Sequence, residues 1–514
     1  MSINKHKVRI RVRFRKPIKL GPRSTRKIPT DCTYWYIIMP STAPNRYRHG
    51  SGVDRAGIPR VNEPNGSHPP SAPAAGTVEN LAASSIQPES LYLDAPYDLV
   101  CIGFGPASLA IAIALRERAS PPRVLFLERQ PRFAWHSGML LPGTRMQISF
   151  IKDLATFRNP RSEFTFLNYL HRNGRLVSFT NLGTFLPLRD EYNDYMSWCA
   201  SHFVDQVRYE QEAFSISPVS SDGPTELFQI LTRPTSARSA FDPPIRTKSV
   251  VIAVGGRPSF PASIMPHLPH PRLLHSSQYS HQIPVLLPNA GAVYNIAVVG
   301  GGQSSAEIFA DLHARFPHAR TALVIRAHAL RPSDDSPFVN EIFDPSRVDA
   351  LFALAAPVRA AAIADDRATN YSVVRPALLE ELYYRLYSQR VREPDEALWQ
   401  HRVLPLCEVV GVGAGVGAGA RVRLRMRNVR TGQEVLGDDE YDAVVFGTGY
   451  VRDVHKAMLK PLEELMDGEC VVGRDYGVLF KEGAMAKGSG VYLQGCCEGT
   501  HGVSIPGTFE AEMS

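Results

Sequence analysis

Along most of this chain the apolar residues gather in short, nearly unbroken runs and do not alternate with polar ones. "YDLVCI" (97–102), "RVLFLE" (123–128), "SVVIAVGG" (249–256), "NIAVV" (295–299), "TALVI" (321–325) and "YDAVVFGTGY" (441–450) are of this kind. Runs of that length, bounded by glycines, predict strands buried on both faces, as in a parallel sheet. The segments 107–118 and 304–315 carry helical patterns and follow glycine turns. They complete two strand–turn–helix–strand units, one over 97–128 and one over 295–325. The expected fold class is therefore α/β, with two Rossmann-like dinucleotide-binding domains. The most apolar stretch, Leu109 to Leu115, reads as a buried helix. With no run of eighteen apolar residues, no membrane span is expected.

Composition changes this picture only at the ends. At 514 residues the chain is too long for one core. The net charge is +7, but residues 1–30 alone hold eleven Lys or Arg and no acid, which leaves −4 (7 minus 11) for the rest. The basic excess belongs to a tail, so it does not point to a nucleic-acid-binding body. Residues 40–90 are rich in Pro, Ser, Gly and Ala, and 1–95 are expected to be a disordered basic extension. A transit peptide fits this segment less well than a nonspecific tail or sequence upstream of the true start. "GVGAGVGAGA" (411–420) is expected to be a surface loop. Seven cysteines at irregular spacings, with no CxxC, disfavour a disulfide framework, a zinc site and a redox dithiol. A reducing, cytoplasmic compartment is the simplest reading.

The chemistry sits at the two glycine turns. The first is Gly103-Phe-Gly105-Pro-Ala-Ser108, with Glu128 closing the next strand. The first glycine permits the turn, the second lets backbone approach a pyrophosphate, and the small third residue packs helix on strand. An acid at the end of the second strand can accept hydrogen bonds from a ribose. The second turn is Gly300-Gly-Gly302-Gln303-Ser304-Ser305. Its next strand leads to Arg326, which suits a 2′-phosphate and favours NADPH over NADH. Two such units, with the paired glycines at 255–256 and "GTGY" (Gly447, Gly449, Tyr450) returning to the first domain, describe an FAD protein reduced by NADPH. The expected domains are 96–256 with 440–514 for FAD, and 257–439 for NADPH. The latter includes a helical substrate-binding region at about 335–400.

Between the turns lies "WHSGMLLPGTRMQISFIKDLATFRNPRSEFTFLNYL" (135–170), mixed in the manner of a cofactor pocket. Together with "SDDSPFVNEIF", "NYSVVR" and "THGVS", it closely resembles the fungal L-ornithine N5-monooxygenases of siderophore biosynthesis, N-hydroxylating class B flavin monooxygenases. The resemblance runs from about Tyr97 to Ser504. It implies cofactor contacts at Trp135, His136 and Gln147, the last beside the flavin where oxygen reacts. It implies that Lys152 binds the substrate α-carboxylate. Asn340 and Asn370 would hold the amino-acid end of ornithine, Ser504 would join the substrate pocket, and Gln147 and Asn340 are the catalytic candidates. Gln303, Ser304 and Arg326 would contact NADPH. No metal is implied.

The reaction implied by the resemblance uses FAD, NADPH and O2 to hydroxylate the δ-amine of L-ornithine through a C4a-hydroperoxyflavin. This is the first step of hydroxamate siderophore synthesis. The amine must be neutral to attack, yet its ordinary pKa of ~10.4 leaves about one molecule in a thousand so at neutral pH. Burial away from carboxylates pushes it the right way. The resemblance also implies a homotetramer. Three alternatives stay open: an L-lysine N6- or other amine hydroxylase, since one methylene is a weak discriminator; an uncoupled enzyme; and an inactive flavoprotein. The last two arise because "HGVSIPGTFEAEMS" lacks the Leu-Leu-Ser portion that follows this block in the family.

Overall fold

The computed structural model describes residues 95–502, apart from 221, 236–242, 415–420 and 436–438. Residues 1–94 of the expected disordered extension lie outside it, as does Ser504. The first domain begins with β1 (Tyr97–Ile102), β2 (Val124–Leu127), β3 (Val207–Arg208), β4 (Gln211–Pro218), β5 (Phe228–Pro234) and β6 (Ile245–Ile252). Their order in the sheet is β3-β2-β1-β6-β5-β4. β1 lies between β2 and β6, parallel to both, while β4 and β5 form an antiparallel ribbon.

A short strand, β7 (Arg257–Pro258), leaves this domain. The second domain is built on β8 (Leu273–His275), β9 (Asn295–Val299), β10 (Arg320–Val324) and β11 (His401–Leu404). Three further strands, β12 (Cys407–Ala414), β13 (Val422–Asn428) and β14 (Glu434–Val435), pack beside it as an antiparallel sheet, with β15 (Glu440–Tyr441) also on β13. β16 (Ala443–Phe446) then completes a parallel sheet of order β11-β10-β9-β16-β8. β17 (Tyr450–Val451) pairs with β7, and β18 (Gly490–Leu493) returns alongside β6.

The unbroken apolar runs follow from these parallel sheets. In β1, Leu99 and Cys101 face one core while Val100 and Ile102 face the other. In β9, Ile296 and Val298 face one core while Ala297 and Val299 face the other. Both sides of each strand are dry, so neither can carry polar residues. The helix Pro106–Arg116 is buried from Ala107 to Ile113, and Pro at its start suits a first turn whose N–H groups have no helical partner. No helix among the described residues is long and apolar enough to cross a membrane.

Two expectations are corrected. The chain does not rejoin the first domain at 440: β16 pairs with β9 and β8 in the second sheet, and the return follows it, with Tyr450 at the cleft, Met458 to Met466 packed in the first domain's core and β18 beside β6. "AVVF" is buried on both faces, so its composition suits either sheet, and partner choice is a long-range matter. The glycine-rich 411–420 is not all loop either, because 411–414 extend β12 against Arg423 and Arg425 of β13.

Candidate functional site

At the C-terminal edge of the first sheet lies a cleft of about 370 Å³. Of the residues expected to hold a flavin nucleotide, Gly103, Gly105, Glu128, Trp135, His136 and Tyr450 line it. Gly103 has φ +92°, and a Cβ there would meet the Ala253 carbonyl oxygen at 2.6 Å, so only glycine fits between β1 and the end of β6. A Cβ on Gly105 would meet nothing within 4 Å. That open space, at the start of the Pro106–Arg116 helix, is where a pyrophosphate can approach free N–H groups. Ser108 is fully buried and does not line the cleft; its Oγ has no hydrogen-bond partner. It is a packing residue on the helix's buried face.

Glu128 is nearly buried and clamps the turn itself. Its Oε2 accepts the Phe104 N–H at 2.8 Å and its Oε1 accepts the Gln130 N–H at 2.9 Å. A carboxylate has about four acceptor sites, so two remain for ribose hydroxyls. His136 sits in the left-handed region at φ 45° with its ring open to the cleft. Desolvation by the surrounding protein, then the charges of Arg189 and Arg452, push its pKa down to about 4. Its imidazole is thus neutral at physiological pH. The cleft's geometry and donor set fit an FAD.

The second turn is formed at the end of β9. Gly300, at φ +136°, would place a Cβ 2.5 Å from the Gly447 carbonyl oxygen. Ser305 is fully buried and donates to that carbonyl at 3.3 Å, so its hydroxyl ties helix to β16 and does not face a coenzyme. Gly449 belongs to the same junction, accepting His275 Nε2 at 3.0 Å. Gly302 stands at the head of the Gln303–Arg315 helix, and Ser304 lies in that helix's first turn. Arg326, two residues past β10, is exposed and has no ion-pair partner among the described residues. An open helix N-terminus with an unpaired guanidinium beyond the neighbouring strand fits the diphosphate and 2′-phosphate of NADPH. Gln303 departs from expectation: both ends of its amide are engaged within the protein, Nε2 donating to Glu307 at 2.8 Å and Oε1 accepting the Arg375 N–H at 2.9 Å.

The substrate candidates gather about the helical region. Lys152 is half-buried, and its Nζ lies 5.6 Å over the ring of Phe343, three residues beyond Asn340. Burial lowers its pKa, and among the described residues it has no carboxylate partner. Asn340 donates from Nδ2 to the carbonyls of Asp335 and Ser336, at 2.8 and 3.3 Å, which leaves Oδ1 as its acceptor. Gln147 is exposed, and its carbonyl accepts from Arg375 Nη1 at 3.3 Å. Asn370 is exposed at the end of the Ala356–Asn370 helix, two residues before Ser372, whose Cα lies 3.6 Å from where a Gly302 Cβ would be. Lys152 and Gly300 are not among the cleft's lining residues, although Leu154 is. The two domains are linked by a side-chain pair, Arg189 to Glu307. Sequence reading missed both of these, and also Gln211, Arg452 and Gln494 of the cleft wall. None carries a local signal, because each acts through partners far along the chain.

The family described as L-lysine 6-monooxygenase/L-ornithine 5-monooxygenase matches residues 95–452. The L-ornithine N(5)-oxygenase of Arthrobotrys oligospora is 49% identical over 414 residues, 79% of this chain and 84% of that protein. The L-ornithine N(5)-monooxygenase of Burkholderia cepacia is 41% identical over 415 residues, 79% of this chain and 90% of that one. Among solved structures, an ornithine hydroxylase from Pseudomonas aeruginosa superposes with a TM-score of 0.72 at 37% identity, covering 80% of this chain and 94% of that one. An ornithine N-hydroxylase of a Kutzneria species, solved with reduced FAD, NADP+ and L-ornithine, gives 0.71 at 33% identity, covering 80% and 94%. With the family's model matching most of the chain and a curated relative 49% identical over 79% of it, the chain belongs to the L-lysine 6-monooxygenase/L-ornithine 5-monooxygenase family.

Proposed function

We propose that this protein is an L-ornithine N5-monooxygenase, using FAD, NADPH and O2 to make N5-hydroxyornithine for hydroxamate siderophores. The observation that carries the substrate reading is Lys152: a half-buried ammonium with no carboxylate partner among the described residues, its Nζ over Phe343. Such a group calls for an anion from outside, and an amino acid supplies one. Lys152 then takes the α-carboxylate, and Asn340 Oδ1 accepts from the α-ammonium. Asn370 completes the hold on the amino-acid end. Fixing that end presents the side-chain amine towards Gln147 and the flavin cleft. Burial there favours the neutral amine; a shift of about three pKa units, or ~4 kcal/mol, makes it the main form at neutral pH.

FAD is held by the Gly103–Ser108 turn, Glu128, Trp135, His136 and Tyr450, and NADPH by the Gly300–Gly302 turn, Ser304 and Arg326. When bound, the pair supplies reducing equivalents to O2, sending one oxygen atom to the amine and one to water. The chain's task is to position these groups and to keep water from them. The cysteine pattern and the resemblance support a cytoplasmic homotetramer.

The test is product analysis with purified protein: NADPH oxidation accelerated by L-ornithine, with hydroxylamine formed, and far less with L-lysine. Equal product from lysine would overturn the substrate assignment. Lys152→Ala should raise KM for ornithine on the order of a hundredfold, the loss of a charge-assisted contact, while flavin reduction by NADPH stays unchanged. Equal loss of both would reject the role given to Lys152.

A further inference from the structure

A chain of hydrogen bonds crosses from the first domain to the substrate helices through one buried carboxylate. Glu307 is 6% exposed and lies one turn into the Gln303–Arg315 helix. Arg189 opens the Arg189–Ser201 helix of the first domain and holds both Glu307 oxygens, at 2.6 and 2.9 Å. Glu307 Oε1 also accepts Gln303 Nε2–H at 2.8 Å. That contact fixes which way the Gln303 amide faces, so its Oε1 is presented to the Arg375 backbone N–H at 2.9 Å. Arg375 in turn donates to the Gln147 carbonyl at 3.3 Å and pairs with Asp335 at 2.9 Å. At the other end, the charge of Arg189 is felt by His136 in the flavin cleft.

Stability alone does not call for this arrangement. Taking two charges out of water is costly, and an apolar pair of similar volume generally holds a fold as well or better. What the ion pair adds is direction. The planar guanidinium fork sets the carboxylate plane, and the carboxylate sets the amide. Gln303 is the first residue after the coenzyme turn, so its orientation governs where that turn stands. We propose that Glu307 is a positioning residue of the reaction: held by Arg189, it locks Gln303 onto Arg375 and so sets the coenzyme turn against both the flavin cleft and the substrate helices. This rests on the FAD and NADPH reading above and deepens it.

The consequence is chemical yield. In the productive course, NADPH, a proton, O2 and the amine give NADP+, the hydroxylamine and water. If the coenzyme is loosely placed, water enters, and NADPH, a proton and O2 give NADP+ and hydrogen peroxide. Two variants of the FAD-loaded full chain separate positioning from packing. Glu307→Gln keeps the shape but loses the charge. The double variant Arg189→Leu with Glu307→Met removes both charges and leaves no buried ion unpaired. Both should keep their flavin absorbance yet show KM for NADPH raised about tenfold and hydroxylamine per NADPH reduced severalfold, the scale of a small misplacement of reacting groups. Glu307→Asp should recover part of each. A folded, yellow double variant with wild-type KM and wild-type yield would overturn the proposal. Because KM for flavin reduction is measured without any amine, a wild-type enzyme that oxidises NADPH but hydroxylates no ornithine would sink the substrate reading and leave this comparison standing.

Discussion

In both nucleotide turns the first glycine is pressed against a carbonyl at a neighbouring strand end: Ala253 for Gly103 and Gly447 for Gly300. In both, the third small residue is a fully buried serine, Ser108 or Ser305. Beyond that the two part. The first turn is closed on itself by Glu128, which holds the Phe104 and Gln130 N–H groups and is 7% exposed. The second has no such clamp: its counterpart, Arg326, stands exposed and without an ion-pair partner among the described residues. The first turn is held in shape by its own strand-end carboxylate, whereas the strand-end residue of the second stands apart from its turn. The same strand–turn–helix plan therefore takes two forms, according to whether the residue after the second strand is bound to the turn.

The largest effects should come from the first glycines. Gly103→Ala combines strained backbone with a clash against main chain, so protein should be recovered colourless or not at all; a yellow, stable variant would break the packing account. Gly300→Ala should instead retain flavin absorbance and lose NADPH oxidation, because the same fault then lies in the other domain. Next, Arg326→Ala should raise KM for NADPH by roughly ten- to a hundredfold and leave KM for NADH nearly unchanged, as steady-state kinetics would show. A parallel rise for both coenzymes would mean that Arg326 does not meet the 2′-phosphate.

A smaller effect distinguishes the second glycines. Gly105→Ala has room in the protein, so melting of the apoprotein should shift by no more than about 1 kcal/mol, while FAD affinity falls because the methyl occupies the ligand's space. Gly302→Ala meets Ser372 only at ordinary contact distance, so any loss should appear in NADPH binding alone.

A separate effect, independent of coenzyme binding, is a pH dependence seated in the second domain. His313 and His401 stack there with centroids 3.6 Å apart, and Thr321 Oγ1 lies within 3.3 Å of both. Burial pushes His401 down to about 4 and His313 down to about 2, with nearby positive charge adding to each shift. Unfolded histidine takes up its proton near ~6.5, whereas the folded pair stays neutral. The stability this neutral pair confers is present above pH ~6.5 and is lost as pH falls through that value towards 4. The denaturant midpoint of the second domain should therefore drop over that interval, and His401→Gln should flatten the drop.

How much could be read in advance follows the range of the interactions. Strands 97–102 and 295–299, and the helices after the two turns, lie where the sequence places them, because glycine spacing and two-faced burial are local properties. Gly103, Gly105 and Glu128 could be placed at the first turn for the same reason. The role of Ser305 could not, since its partner Gly447 is brought in by strand pairing. Nor could the sheet that takes Ala443–Phe446, or the side-chain locking of Gln303.

Local pattern was enough to specify two nucleotide-binding units and the type of coenzyme each would accept, since turn geometry and strand-end charge act over a few residues. How the units face each other rests on Arg189 and Glu307, on β16 joining β9, and on β18 rejoining β6. Those contacts link residues more than a hundred positions apart. Their choice depends on which surfaces are left unpaired once each sheet has formed, a property of the packed molecule that no short stretch of sequence contains.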